Sequence, residues 1–202
     1  MQKRRIFIAI NLPKKIKNKL ADFQAKWPDL PARWTKPRNI HITLAFLGYL
    51  TDQELFEISE VARKVAESHE PFDISLTDVC YGPTQNSAES CSPRSSPRMI
   101  WATGEKSKEF SELKNDLDRE LALSERSPEF IEGRSESKGF SPHITLARIG
   151  QWEWKRIEPE ERPEINEDIN FVFEVDSIEI MESELKRGGA IYSVFESYPL
   201  GK

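Results

Sequence analysis

The sequence is short of cysteine, of histidine and of net positive charge, and each shortage narrows what the protein can be. Only 2 of its 202 residues are cysteine. Cys80 and Cys91 make neither a disulfide framework nor a thiolate-rich metal site, and Cys91, in a Ser/Pro-rich stretch, reads as a free surface thiol. The mixed charges sum to −5, which excludes a broad basic face of the kind that wraps duplex nucleic acid. A site gripping one phosphate, or the end of a strand, stays allowed. Long apolar runs are also missing. The N-terminal "MQKRRIFIAINLP" holds five apolar residues, Ile6 to Ile10, before Asn11 breaks the run. That is too short for a signal peptide and far too short to span a bilayer. A reducing, cytoplasmic setting is the expectation.

What is present suffices for one substantial domain or two small lobes sharing a core, since Leu, Ile, Val and Phe make 50 of the 202 residues. "RRIFIAI" reads as a strand. Ile16, Leu20, Phe23 and Trp27 then recur at helical spacing. "NIHITLAFLG" reads as a second strand, ended by Gly48. A helix opens at Thr51, with Glu54 three residues on and Leu55, Ile58, Ala62 and Val65 on one face. Strands over "FDISLTDVCYG" and "RMIWATG" precede a helix through Phe110, Leu113, Leu117 and Leu121. "SPHITLAR" makes another strand. Two β-rich runs, "DINFVFEVDSIEIMES" and "AIYSVFESYPL", flank the turn-forming "ELKRGG". The pattern predicts an α+β chain with mostly antiparallel sheet, and residues 1–202 form one domain. Ser-rich segments at 83–98 and 124–139 lack apolar periodicity and are expected to be mobile surface loops. His69, ending a helix beside Glu70 and Pro71, reads as a surface residue.

The histidines carry the functional signal. There are three in the chain, and two begin near-identical frames: "HITLAFLG" from His41 to Gly48 and "HITLARIG" from His143 to Gly150. Strand side chains alternate between faces, so each His and the Thr two residues later share a face, about 7 Å apart along the chain. Ile42, Leu44, Ile144 and Leu146 point the other way, toward a core. Each frame therefore offers one imidazole and one hydroxyl on a platform with a buried back.

One such pair is weak evidence, because a His in a strand is commonly a satisfied core residue and Thr a good strand former. A core has no reason to demand the pair twice. Two imidazoles flanking one cleft suit a reaction in which one group takes a proton while the other gives one, and histidine titrates near neutrality. In-line attack at a phosphoryl centre needs that pairing, with Thr43 and Thr145 hydrogen-bonding the non-bridging oxygens. A non-catalytic phosphate-binding module would more naturally use Arg or Lys. For a metal site, each frame supplies one ligand and no acid or thiol stands at ligand spacing beside it.

At these residues the chain resembles the two-histidine (2H) phosphoesterases, marked by paired His-x-Thr-x motifs. Among them it is most similar to the RNA 2′,3′-cyclic phosphodiesterases, also called 2′-5′ RNA ligases. Arg33 and Trp34 before the first motif, both motifs, and the late "MESELKRGGAIYSVFESYPL" fall in the family's order. The resemblance implies a bilobal fold, two similar lobes of antiparallel sheet covered by helices around a central cleft. It implies a metal-independent, cofactor-free opening of a ribose 2′,3′-cyclic phosphate to a 2′-phosphate, on RNA ends or nucleotides, reversible as 2′-5′ ligation. His41 would be the acid on the 3′ oxygen and His143 the base on water, though near-symmetric motifs leave the reverse open. Arg148 would serve the substrate phosphate, which strict alternation opposes unless the strand twists there. By the same alternation Phe46 packs in the core, the alternative being a place on the rim where it stacks on a base. Arg33 and Trp34 are candidates for the rim. The segment "GQWEWKRIEPEERPEIN" departs from the family pattern and is a candidate border of the cleft. The chain is expected to be a monomer.

Overall fold

The computed structural model describes residues 3–83, 97–124, 141–187 and 189–201. Its elements form two antiparallel sheets with helices on their backs. The first sheet has the order β3 (His41–Leu50), β1 (Arg4–Asn11), β8 (Ser177–Lys186), β9 (Gly189–Pro199). The second has the order β2 (Ala32–Trp34), β6 (His143–Ile149), β5 (Met99–Gly104), β4 (Phe72–Gly82), β7 (Asn166–Val175). The two antiparallel lobes match the expected α+β bilobal architecture. The Ser-rich segments expected as mobile loops, Cys91 included, fall almost wholly outside the described residues.

β1 is buried on both faces, as its unbroken Ile6–Ile10 run requires. Ile6, Ile8 and Ile10 join the main core, whereas Phe7 and Ala9 face the other side with Met181 and Tyr192. Helix α2 (Asp52–Glu67) begins at the Thr51–Glu54 capping box that the sequence signals, and buries Leu55, Ile58, Ala62 and Val65. Such a cap contributes about 1 kcal/mol. Helix α3 (Lys108–Leu123) buries Phe110, Leu113, Leu117 and Leu121 and packs on both α2 and β4, so the two lobes share one core. Side chains at this depth stabilise by roughly 1.5–3 kcal/mol each.

Several local expectations change. The first helix, α1 (Lys14–Ala21), gives way to a 3₁₀ turn over Asp22–Lys26 rather than continuing to Trp27. Gly48 does not end β3: at φ 72° it sits in a bulge, and the strand continues to Leu50. The β-rich run from Asp168 onward is two strands parted by Asp176, one in each sheet. β2 likewise crosses to the edge of the second sheet before β3 joins the first. These crossings lace the lobes and bring the motif strands β3 and β6 against each other where the sheets meet. His69 is partly buried rather than on the surface, its Nε2 lying 3.0 Å from Asp116 Oδ2 on α3. No helix among the described residues is long and apolar enough to cross a membrane.

Candidate active site

Both motifs open onto one cavity of about 600 Å³, lined by His41, Thr43, Phe46, His143, Thr145 and Arg148, with Arg33 and Trp34 at its edge. Every site residue proposed from the sequence therefore reaches the same cleft. Ile42, Leu44, Ile144 and Leu146 lie buried behind it, as alternation requires.

Alternation then fails at the same place in both strands. Ile8 pairs with Ala45 but Ala9 pairs with Thr43, so Leu44 is an extra residue in β3. Ile100 pairs with Ala147 but Trp101 pairs with Thr145, so Leu146 is an extra residue in β6. Each bulge buries two consecutive residues, Leu then Ala, and returns the next side chain to the cleft. Phe46 is consequently 69% exposed rather than packed in the core. Arg148 also stands exposed, its Nη1 3.9 Å from Met99 Sδ. The same sulfur lies 4.0 Å from Thr145 Oγ1.

The two imidazoles are held alike. His41 Nδ1 donates to the Asn39 carbonyl at 2.7 Å, and His143 Nδ1 donates to the Ser141 carbonyl at 3.1 Å. A carbonyl only accepts, so each bond fixes the Nδ1–H tautomer and makes Nε2 the nitrogen that exchanges a proton. At His41 that nitrogen accepts from Thr43 Oγ1 at 2.9 Å. Aromatic rings set the planes. His41 lies 4.9 Å from Phe7 and edge-on to Tyr192 at 5.3 Å. His143 lies 4.3 Å from Trp101. Gly82 backs Trp101 so closely that a Cβ there would meet its ring at 2.4 Å.

These surroundings bias both rings toward the neutral form. Burial pulls His41 down to about 4, opposed by the Asn39 carbonyl and assisted by the charge of Lys17. Burial also lowers His143, opposed by the Ser141 carbonyl. Both imidazoles are thus ready to accept protons, and a bound anion is what favours protonating one of them.

The sequence reading missed the supports. Asn39 and Ser141 act through backbone carbonyls two residues before each histidine, where no side-chain signal exists. Asn39 also donates its amide to the Ala190 carbonyl at 2.8 Å, tying β9 and its Tyr192 to the histidine strand. The Trp-rich segment after the second motif turns away from the cleft: Trp154 is buried against Tyr81, and Trp152 is exposed elsewhere. Among the described residues, no three His, Cys, Asp or Glu side chains cluster to hold a metal ion.

The sequence and the fold are also similar to those of known proteins. The family model described as LigT like Phosphoesterase matches residues 10–90 and 103–192. An RNA 2′,3′-cyclic phosphodiesterase of Aquifex aeolicus is 28% identical, the match covering 98% of this chain and 97% of that protein. One of Methanothermobacter thermautotrophicus is also 28% identical, over 97% of this chain and 98% of its own. Among solved structures, a protein of Thermus thermophilus superposes with a TM-score of 0.78 at 26% identity, covering 98% of each chain. E. coli LigT complexed with 3′-AMP shares the fold, with a TM-score of 0.74 at 24% identity and full coverage of both chains.

Proposed function

The chain belongs to the LigT-like phosphoesterase family, and on that premise we propose that it hydrolyses the 2′,3′-cyclic phosphate of RNA ends or nucleotides to a 2′-phosphate. The observation that carries this reading is the convergence of both His-Thr pairs and Arg148 on one cavity. The curated relatives named RNA 2′,3′-cyclic phosphodiesterase support it across nearly the whole chain.

In the reaction, water attacks phosphorus as the bond to the 3′ oxygen breaks. His143 Nε2 takes the water proton, and His41 Nε2 delivers a proton to the departing oxygen. Thr43 and Thr145 donate to the non-bridging oxygens, and the Arg148 fork offsets the charge developing there. The anionic substrate raises the low pKa of His41 and so loads the acid. A 5′-hydroxyl in place of water runs the chemistry toward a 2′-5′ linkage. Lys17 presses on His41 and favours its neutral form, so the exchanged assignment, with His41 as base, also has an observation behind it. The low cysteine count of the sequence fits a reducing, cytoplasmic setting for the enzyme, which we take to act as a monomer.

Product analysis tests the reading. The protein is incubated with a nucleoside 2′,3′-cyclic phosphate in excess EDTA, and the isomer formed is identified. The nucleoside 2′-phosphate is expected. Binding without turnover makes the cleft a phosphate-binding module, and turnover abolished by EDTA contradicts the metal-independent route.

A further inference from the structure

Some cations of this acidic protein meet carboxylates on the outer faces: Arg4 with Asp52 and Glu182, Arg63 with Glu60 and Glu67, Lys64 with Glu120. Among the described residues six cations line the cleft and no Asp or Glu does; Lys186 pairs with Glu184 beside it, whereas Arg5, Arg33, Lys36, Arg148 and Arg187 make no ion pair. A single cyclic phosphate carries one negative charge. Five unpaired cations around it exceed what that one group can satisfy.

Two of them are placed with particular economy of space. Arg33 on β2 is the direct cross-strand partner of Arg148 on β6. Directly opposed residues on antiparallel strands lie about 5 Å apart at Cα, and like charges so placed repel. Arg33 also reaches across the mouth of the cleft to the other lobe. Its Nη2 lies where a Cβ on Gly189 would stand, 2.1 Å from that built position, and Gly189 has φ 106°. The β8–β9 turn that carries Gly189 also carries Arg187. From Arg148 the unpaired cations therefore run outward through Arg33 to this turn.

We propose that Arg33 is a specificity residue that grips the phosphate on the 5′ side of the nucleotide whose cyclic phosphate is opened. This rests on the phosphodiesterase reading above and names the substrate class within it. With Arg148 on the reacting phosphate, its cross-strand neighbour serves the adjacent one, so a strand end is a better substrate than a lone nucleoside cyclic phosphate. The phosphate recognised is either the diester of a continuing strand or the 5′-phosphate of a mononucleotide, and the substrates below separate the two.

The test compares kcat/KM for three substrates: a nucleoside 2′,3′-cyclic phosphate, the same nucleoside bearing a 5′-phosphate, and a dinucleotide ending in that cyclic phosphate. A charge-assisted contact at a partly exposed site predicts a preference of about tenfold for the dinucleotide, expressed mainly in KM. In Arg33→Gln the ratio of dinucleotide to nucleoside falls toward unity, and Arg33→Lys restores part of it. The slope of log kcat/KM against log salt for the dinucleotide becomes shallower by roughly 0.7 in Arg33→Gln, one strand phosphate's share. A preference for the 5′-phosphorylated nucleoside over the dinucleotide assigns Arg33 to free nucleotides and overturns the strand-end claim. Equal turnover of all three by the unmodified protein, or an unchanged ratio in Arg33→Gln, overturns the inference and leaves the phosphodiesterase reading standing. Turnover of none contradicts both.

Discussion

Phe46 and Arg148 stand at equivalent places in the two motif strands, each returned to the cleft by a bulge that buries the Leu and Ala before it. The two positions share a geometry and differ in chemistry, one apolar ring and one guanidinium facing the same cavity. Arg148→Gln should lower kcat/KM about 10²-fold, because it removes a charge-assisted fork from the phosphate oxygens on which charge develops. Arg148→Lys should recover only a small part, since an ammonium does not reproduce the bidentate geometry. Phe46→Leu should act chiefly through KM, as loss of a stacking face for a nucleobase does. Steady-state kinetics on a nucleoside cyclic phosphate checks all three.

Removing either imidazole should cost about 10²–10⁴-fold in kcat, the usual range for a positioned acid or base. The two losses differ in kind. With a substrate whose 3′ bridging oxygen is replaced by sulfur, the leaving group departs without needing a proton. His41→Ala should then regain most of its rate while His143→Ala should not. The opposite pattern would exchange the acid and base roles.

Stability should carry the signature of the buried rings. The pKa of His41 is depressed in the folded protein from 6.5 to about 4, so the unfolded chain binds its proton first as pH falls. The stabilisation from keeping the ring neutral is complete above about pH 6.5 and is lost progressively down to about pH 4, amounting to roughly 3 kcal/mol. His143 is depressed by burial too and contributes in the same direction. Urea unfolding of the intact protein and of His41→Gln across this window should show a shallower pH dependence in the variant. Parallel curves would mean that His41 is not shielded from water in the folded protein.

Much of the frame was legible because periodicity reports burial: the Thr51 cap, the α2 and α3 faces and the repeated His-x-Thr frames all follow from local rules. The failures are equally physical. A bulge is a register event between two strands, and nothing in "HITLA" alone reveals that Leu44 and Ala45 both turn inward. The switch of sheets at Asp176 depends on partners far away in sequence. The histidine supports act through backbone carbonyls of Asn39 and Ser141, which carry no residue-type signature. The pairing of Arg33 with Arg148 needed β2, whose three residues are too few for any periodic pattern.

The central claim is that both imidazoles address one phosphorus through Nε2. Its most direct measurement is nitrogen NMR of the histidine side chains during titration with a nucleoside 2′-phosphate, the expected product. The account predicts that Nε2 of His41 and of His143 respond along a single saturation curve while Nδ1 stays protonated in both, with the His41 titration moving upward from about 4. A response from only one ring, or two curves with different midpoints, would contradict it.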